Sequence, residues 1–76
     1  MNKARRSAIA RLRDQLDDIK GQIEELQSEE QDYYDNMPES FQQGEKGELA
    51  EAAADALQCA VDSVDEAIGN LDTAEE

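Results

Sequence analysis

The chain contains no histidine and no tryptophan, one cysteine, one proline and only three aromatic residues, Tyr33, Tyr34 and Phe41. Each shortage closes off a class of function. Without histidine the commonest general base is missing. Cys59 stands alone, so no intrachain disulfide can form. Lying among alanines, Cys59 reads as a small buried side chain rather than a redox or metal residue. No nucleophile motif, P-loop or glycine-rich dinucleotide fingerprint occurs, and no loop has the ligand spacing of an EF-hand. The sequence therefore predicts no enzyme, no cofactor and no metal site. Long apolar runs are absent too. No stretch approaches the ~20 apolar residues of a membrane span, and the basic start is not followed by an apolar segment as in a signal peptide. A reducing cytoplasm is the expected location.

What is present is a heptad. Ile9, Leu12, Leu16, Ile19, Ile23 and Leu26 stand at alternating spacings of three and four. They form an a/d stripe that predicts one long helix with a partner along its apolar seam. Helix formers without proline extend this helix over 3–35, and the same register puts Glu30 at an a position and Tyr33 at a d position. Residues 36–47 break the pattern. Asn36 followed three residues later by Glu39 reads as an N-cap signal for a short helical turn that Gly44 stops. Gly47 then frees the chain to enter a second helix over 48–73. There Leu57, Val61, Val64, Ile68 and Leu71 repeat the heptad, with Ala50, Ala53 and Ala54 before them. Small residues flank the stripe: Ala52, Ala56, Cys59, Ala60, Ser63 and Ala67.

Charge decides how these helices sit. Of 76 residues, 20 are acidic and 7 basic, a net charge of -13. Residues 1–20 hold six of the basic residues against three acids, whereas 21–76 hold only Lys46 against 17 acids. An antiparallel hairpin sets the basic start beside the acidic end of the second helix, with Asp62, Asp65, Glu66, Asp72, Glu75 and Glu76. A parallel pair would set acid against acid. The expected fold is all-α, a single domain comprising a long antiparallel helical hairpin. The second helix is apolar over an arc too wide for one partner helix. Self-association through Leu57, Ala60, Val61, Val64, Ala67 and Ile68 is therefore expected, giving a homodimer and a four-helix bundle.

Three surfaces are candidates for binding. Asp55, Asp62, Asp65 and Asp72 line one face of the second helix. Asp14, Asp18, Glu25 and Asp32 line one face of the first. Rows of carboxylates on a rod can imitate duplex phosphates, or they can serve solubility alone. The basic start pairs with the acidic helix rather than with nucleic acid or membrane, since the chain as a whole repels phosphate. Around the connection, Tyr33, Tyr34, Met37, Phe41 and Leu49 read as a cap on the hairpin core. If a partner binds there, Tyr34, Met37 and Phe41 are its anchors.

The start MNKARR, the segment YDNMPESFQ and the Ala/Asp/Glu-rich second helix together resemble small acidic helical proteins carried by phages and mobile elements of Gram-positive bacteria. The resemblance implies residence in a bacterial host cell. It also implies a role among inhibitors of host defence, anti-CRISPR proteins included, and it assigns no functional residue. The reading from the sequence is a non-enzymatic protein–protein interaction module. In its sharper form it is an acidic inhibitor that occupies a basic nucleic-acid-binding groove of a host protein. The alternative is a homo-oligomeric structural or adaptor coiled coil whose acid serves only solubility.

Overall fold

A computed structural model describes residues 2–76. Helix α1 spans Lys3–Asp35, α2 spans Glu39–Gln42 and α3 spans Glu45–Glu75. The long helices α1 and α3 pack against each other along their length. The product is a rod of 58 × 14 × 12 Å with a radius of gyration of 17.2 Å. A compact chain of this length would have a radius of about 11 Å.

Helix α1 starts at Asn2, whose side-chain Oδ1 accepts the Arg5 backbone N–H at 2.8 Å. That satisfies one of the orphan donors of the first turn. The charges at both ends of α1 oppose its dipole: no acid lies in the first turn and no base in the last. The basic start becomes favourable only through a neighbour. The acidic C-terminal end of α3 supplies it, because the helices run antiparallel.

The connection differs from the expected one in three ways. Asn36 does not start a helix but closes α1, its N–H donating to the Asp32 carbonyl at 3.0 Å. Pro38 opens α2 instead, and its carbonyl accepts the Phe41 and Gln42 amides at 2.9 and 3.1 Å. A proline in extended geometry, with ψ of 148°, suits the residue just before a helix, where its missing donor costs nothing. Helix α3 begins at Glu45, three residues before the expected start at 48. Glu45 and Glu48 in its first turn complement its dipole.

Gly47 is therefore inside a helix rather than before one, and it is buried. A Cβ there would overlap the backbone of Gln42. The missing side chain lets α3 cross closely over the end of α2. Gln42 in turn donates from Nε2 to the Tyr34 carbonyl at 3.0 Å, tying α2 to the end of α1. The corner is thus held from both sides of Gln42.

The core is thin. Among the described residues, only Ala50, Ala54 and Val61 are buried apolar residues, and none in α1 is buried. Substitution should separate the glycines by sign. Gly47→Ala should lower the unfolding free energy in urea by about 1–3 kcal/mol, through overpacking against backbone. Gly21 and Gly69 have open space around them, so alanine at either should raise stability by up to ~1 kcal/mol through helix propensity. An unchanged urea midpoint for Gly47→Ala would show that the corner is loose.

Candidate functional site

From Arg13 onward, the partly covered residues of α1 are Arg13, Leu16, Lys20, Ile23, Gln27, Glu30 and Tyr34. This is a seam at spacings of three and four, but it is not the a/d stripe. It keeps the a residues Leu16 and Ile23 and replaces the d residues by their e neighbours. The helix has turned by about one heptad position. As a result Leu12, Ile19, Leu26 and Tyr33 remain 49%, 45%, 53% and 55% exposed. The expectation of one partner helix along the whole a/d seam is corrected: α3 covers one row of it and leaves the other open.

The reason lies in what the e residues reach. The Arg13 guanidinium contacts Asp72 and Glu75, both at 2.9 Å, and Asp14 at 3.3 Å. Lys20 Nζ contacts Asp65 at 2.9 Å. Gln27 Nε2 donates to Gln58 Oε1. Each step of seven along α1 is matched by a step of seven back along α3. These contacts form a polar ladder on one flank of the hairpin. The hydrogen bond that Arg13 donates to Asp72, then the charge of Glu75, raises the Arg13 pKa above its ordinary value. The hydrogen bond that Lys20 donates to Asp65 does the same for Lys20.

On the opposite flank, heptad geometry sets the exposed d row of α1 beside the half-buried Ala53, Ala60 and Ala67 of α3. That flank carries large apolar side chains on one helix and small ones on the other. Its row from Leu12 to Tyr33 is about 31 Å long at 1.5 Å per residue. At the corner end it meets an open depression of about 140 Å³ lined by Tyr33, Met37, Phe41 and Lys46.

The residues expected at binding surfaces are distributed as follows. Leu57, Val61, Val64 and Ile68 lie in the α3 seam, with Val61 6% exposed. Ala60 and Ala67 flank that seam on the open side. Asp65 and Asp72 belong to the ladder. Asp55 and Asp62 are exposed, and Asp62 accepts from Gln58 at 3.0 Å. On α1, Asp14, Asp18, Glu25 and Asp32 are exposed, and Asp18 accepts from Gln22 at 3.3 Å. The two acidic rows do not converge. The α1 row lies on the side away from α3, and the α3 row lies on its outer and ladder sides. Of the loop cluster, Tyr34 and Met37 are half-buried while Tyr33, Phe41 and Leu49 are exposed. The expected cap is thus made by two residues rather than five. Cys59 is exposed, not buried. It projects from the side of α3 away from α1, because the seam runs through Leu57 and Val61 on the other side. No group of three potential metal ligands converges among the described residues, and no described helix is long and apolar enough to cross a membrane.

The sequence marks the d row as part of a seam covered by one partner helix, and what it does not mark is that this row stays exposed. Arg13 and Lys20 at e positions, opposite Asp72 and Asp65, were the clue that the seam would shift. A charge swap checks the ladder. Lys20→Glu should lower the melting temperature, and Lys20→Glu combined with Asp65→Lys should recover most of the loss. The contribution of Lys20 also has a defined pH sense. Its pKa is raised on folding, so the stabilisation is fully present below the ordinary 10.5 and is lost as pH rises through the higher folded value. The alkaline fall in melting temperature should therefore be shallower in Lys20→Met than in the unsubstituted chain.

No family model matches the chain, and neither a curated protein nor a solved structure is significantly similar to it.

Proposed function

We propose that this chain is a non-enzymatic protein–protein interaction module that docks through the open flank of its hairpin. One observation carries the reading: four large apolar side chains at strict heptad spacing stand about half exposed on one side of α1. Singly exposed apolar residues need no explanation, but a contiguous row does. A heptad row is the form in which one helix receives another. The hairpin gives that row a rigid backing, since the ladder fixes α1 against α3 from the other side. Self-association into a four-helix bundle is the simplest use of such a flank.

The acidic surface supports a second reading, the occupation of a basic groove in a host protein. Asp55 and Asp62 on α3 and Asp14, Asp18, Glu25 and Asp32 on α1 stay exposed on a straight rod. Asp65 and Asp72 are weaker candidates, because Lys20 and Arg13 already neutralise them. The resemblance to acidic proteins of phages and mobile elements agrees with this use. The two readings use different sides of the molecule.

A double substitution, Ile19→Gln with Leu26→Gln, tests the apolar flank. The variant should keep its helical circular dichroism. The unsubstituted chain should either associate in light scattering or, when monomeric, enhance the fluorescence of anilinonaphthalene sulfonate, and the variant should do neither. Collapse of helicity in the variant would assign the row to the hairpin's own core and overturn the reading. So would an unsubstituted chain that neither associates nor binds the dye. For the acidic reading, Asp55→Lys with Asp62→Lys should abolish binding to a basic-grooved protein while leaving the hairpin folded. Binding to that protein should also fall steeply with salt.

A further inference from the structure

We infer that the open flank of the hairpin is occupied by a second copy of the same chain, with α1 packed antiparallel on α1 of the partner about a two-fold axis beside Gln22 and Ile23. The inference rests on the interaction-module reading above and names its partner.

Three observations support it. The first is area. The chain exposes 5539 Å², whereas a compact monomer of its 8.4 kDa exposes about 4,600 Å². The excess, about 900 Å², is the surface of a rod of 58 × 14 × 12 Å, and a face along such a rod has room for the ~800 Å² that each partner buries in a standard stable interface. The second is spacing. Leu12, Ile19, Leu26 and Tyr33 form a row that maps onto itself when reversed, so that Leu12 comes level with Tyr33 of a second copy and Ile19 with Leu26. A two-fold contact must be self-complementary in this way. The adjoining row, Gln15, Gln22 and Glu29, is exposed and carries only one charge. It can lie beside the axis at little desolvation cost.

The third is charge. Helix α1 is itself segregated, with six bases and three acids in residues 3–20 and six acids and no base in 21–35. Among the described residues, Lys3, Arg5, Arg6 and Arg11 make no ion pair, and only Arg13 and Lys20 do so. In the antiparallel contact Arg11 comes level with Asp32 and Asp35 of the other copy. Asp18 and Glu25 meet as like charges nearer the axis, so the ends of the contact supply the attraction. Packing α1 on the partner's α3 instead would set the acids of 21–35 against Glu45, Glu48, Glu51 and Asp55. A parallel contact would set them against themselves. The alanines at 53, 60 and 67 let the two α3 helices approach closely and complete a four-helix bundle.

Single cysteines placed in a Cys59→Ser background test the arrangement, followed by mild oxidation, non-reducing electrophoresis and light scattering. Gln22→Cys lies beside the axis and should cross-link to its own copy. Gln15→Cys should not, because the two residues would stand about 22 Å apart along the rod, but it should cross-link when mixed with Glu29→Cys. Ile19→Gln with Leu26→Gln should weaken the dimer about a hundredfold or more. Cross-linking of Gln15→Cys with itself would show a parallel contact and overturn the inference. So would a dimer in which Gln22→Cys fails to cross-link, which would place another face at the interface. A monomer at all concentrations would overturn it as well. In that case dye binding by the unsubstituted chain would show that the interaction reading survives with a different partner.

Discussion

The polar ladder between Arg13, Lys20 and Gln27 on α1 and Asp72, Glu75, Asp65 and Gln58 on α3 is the constraint on which the rest of this structure depends. Its individual contacts are exposed, and exposed ion pairs contribute little each. Their importance is geometric. They fix direction, because only an antiparallel arrangement brings the basic end of α1 to the acidic end of α3. They fix register: sliding α3 by one heptad so that Arg13 meets Asp65 leaves Lys20 opposite Gln58 instead of a carboxylate. They also fix rotation, since e residues can reach α3 only if α1 turns its d row away.

That rotation would be unfavourable in a hairpin with a strong core of its own. Here the core is Ala50, Ala54 and Val61, and on the open flank α3 presents the alanines at 53, 60 and 67 beside the d row of α1. Alanine gains little from burial but allows close approach of the backbones. The hairpin is stabilised through length and many small contacts rather than through a few large ones, which accords with the marginal stability of so small a domain. The corner reinforces the same economy of volume. Gly47 has no side chain to fit, and Gln42 holds the end of α1 through one hydrogen bond to Tyr34.

Much of this was legible in the residues. The heptads marked two long helices, and the single Pro38 with Gly44 and Gly47 marked the corner. The split between basic and acidic segments set the antiparallel direction. The rotation of α1 was not legible from hydrophobic periodicity, because the a/d and a/e seams share half their residues and differ only in whether long polar side chains can span to the partner. Arg13 and Lys20 can, and that property depends on the sequence of the facing helix. Asn36 was ambiguous for a local reason: asparagine serves at both ends of helices, and only the position of Pro38 decides which. The exposure of Cys59 followed from the seam and could not be read before the seam was known. The exposure of Phe41 and Leu49 depends on how closely α3 crosses α2, which the absent side chain of Gly47 sets.

Once α1 has turned, the hairpin has two unlike flanks. On the ladder flank, polar groups are already matched within the chain, so a partner there would have to break contacts before making its own. On the other flank nothing needs to be broken: the d row of α1 and the alanines of α3 are apolar, level and already half-desolvated by their neighbours. The charges add a second asymmetry. Arg13 and Lys20 are committed inward, while Lys3, Arg5, Arg6 and Arg11 form no ion pairs among the described residues. The acids of 21–35 are likewise free of ion pairs with α3. One charge-segregated helix therefore carries two sets of complementary groups: one holds the hairpin together, and the other remains for a further helix. A strongly acidic surface elsewhere limits which helices can approach. It disfavours acidic partners everywhere except where a run of bases meets them, and within this chain that run is the start of α1.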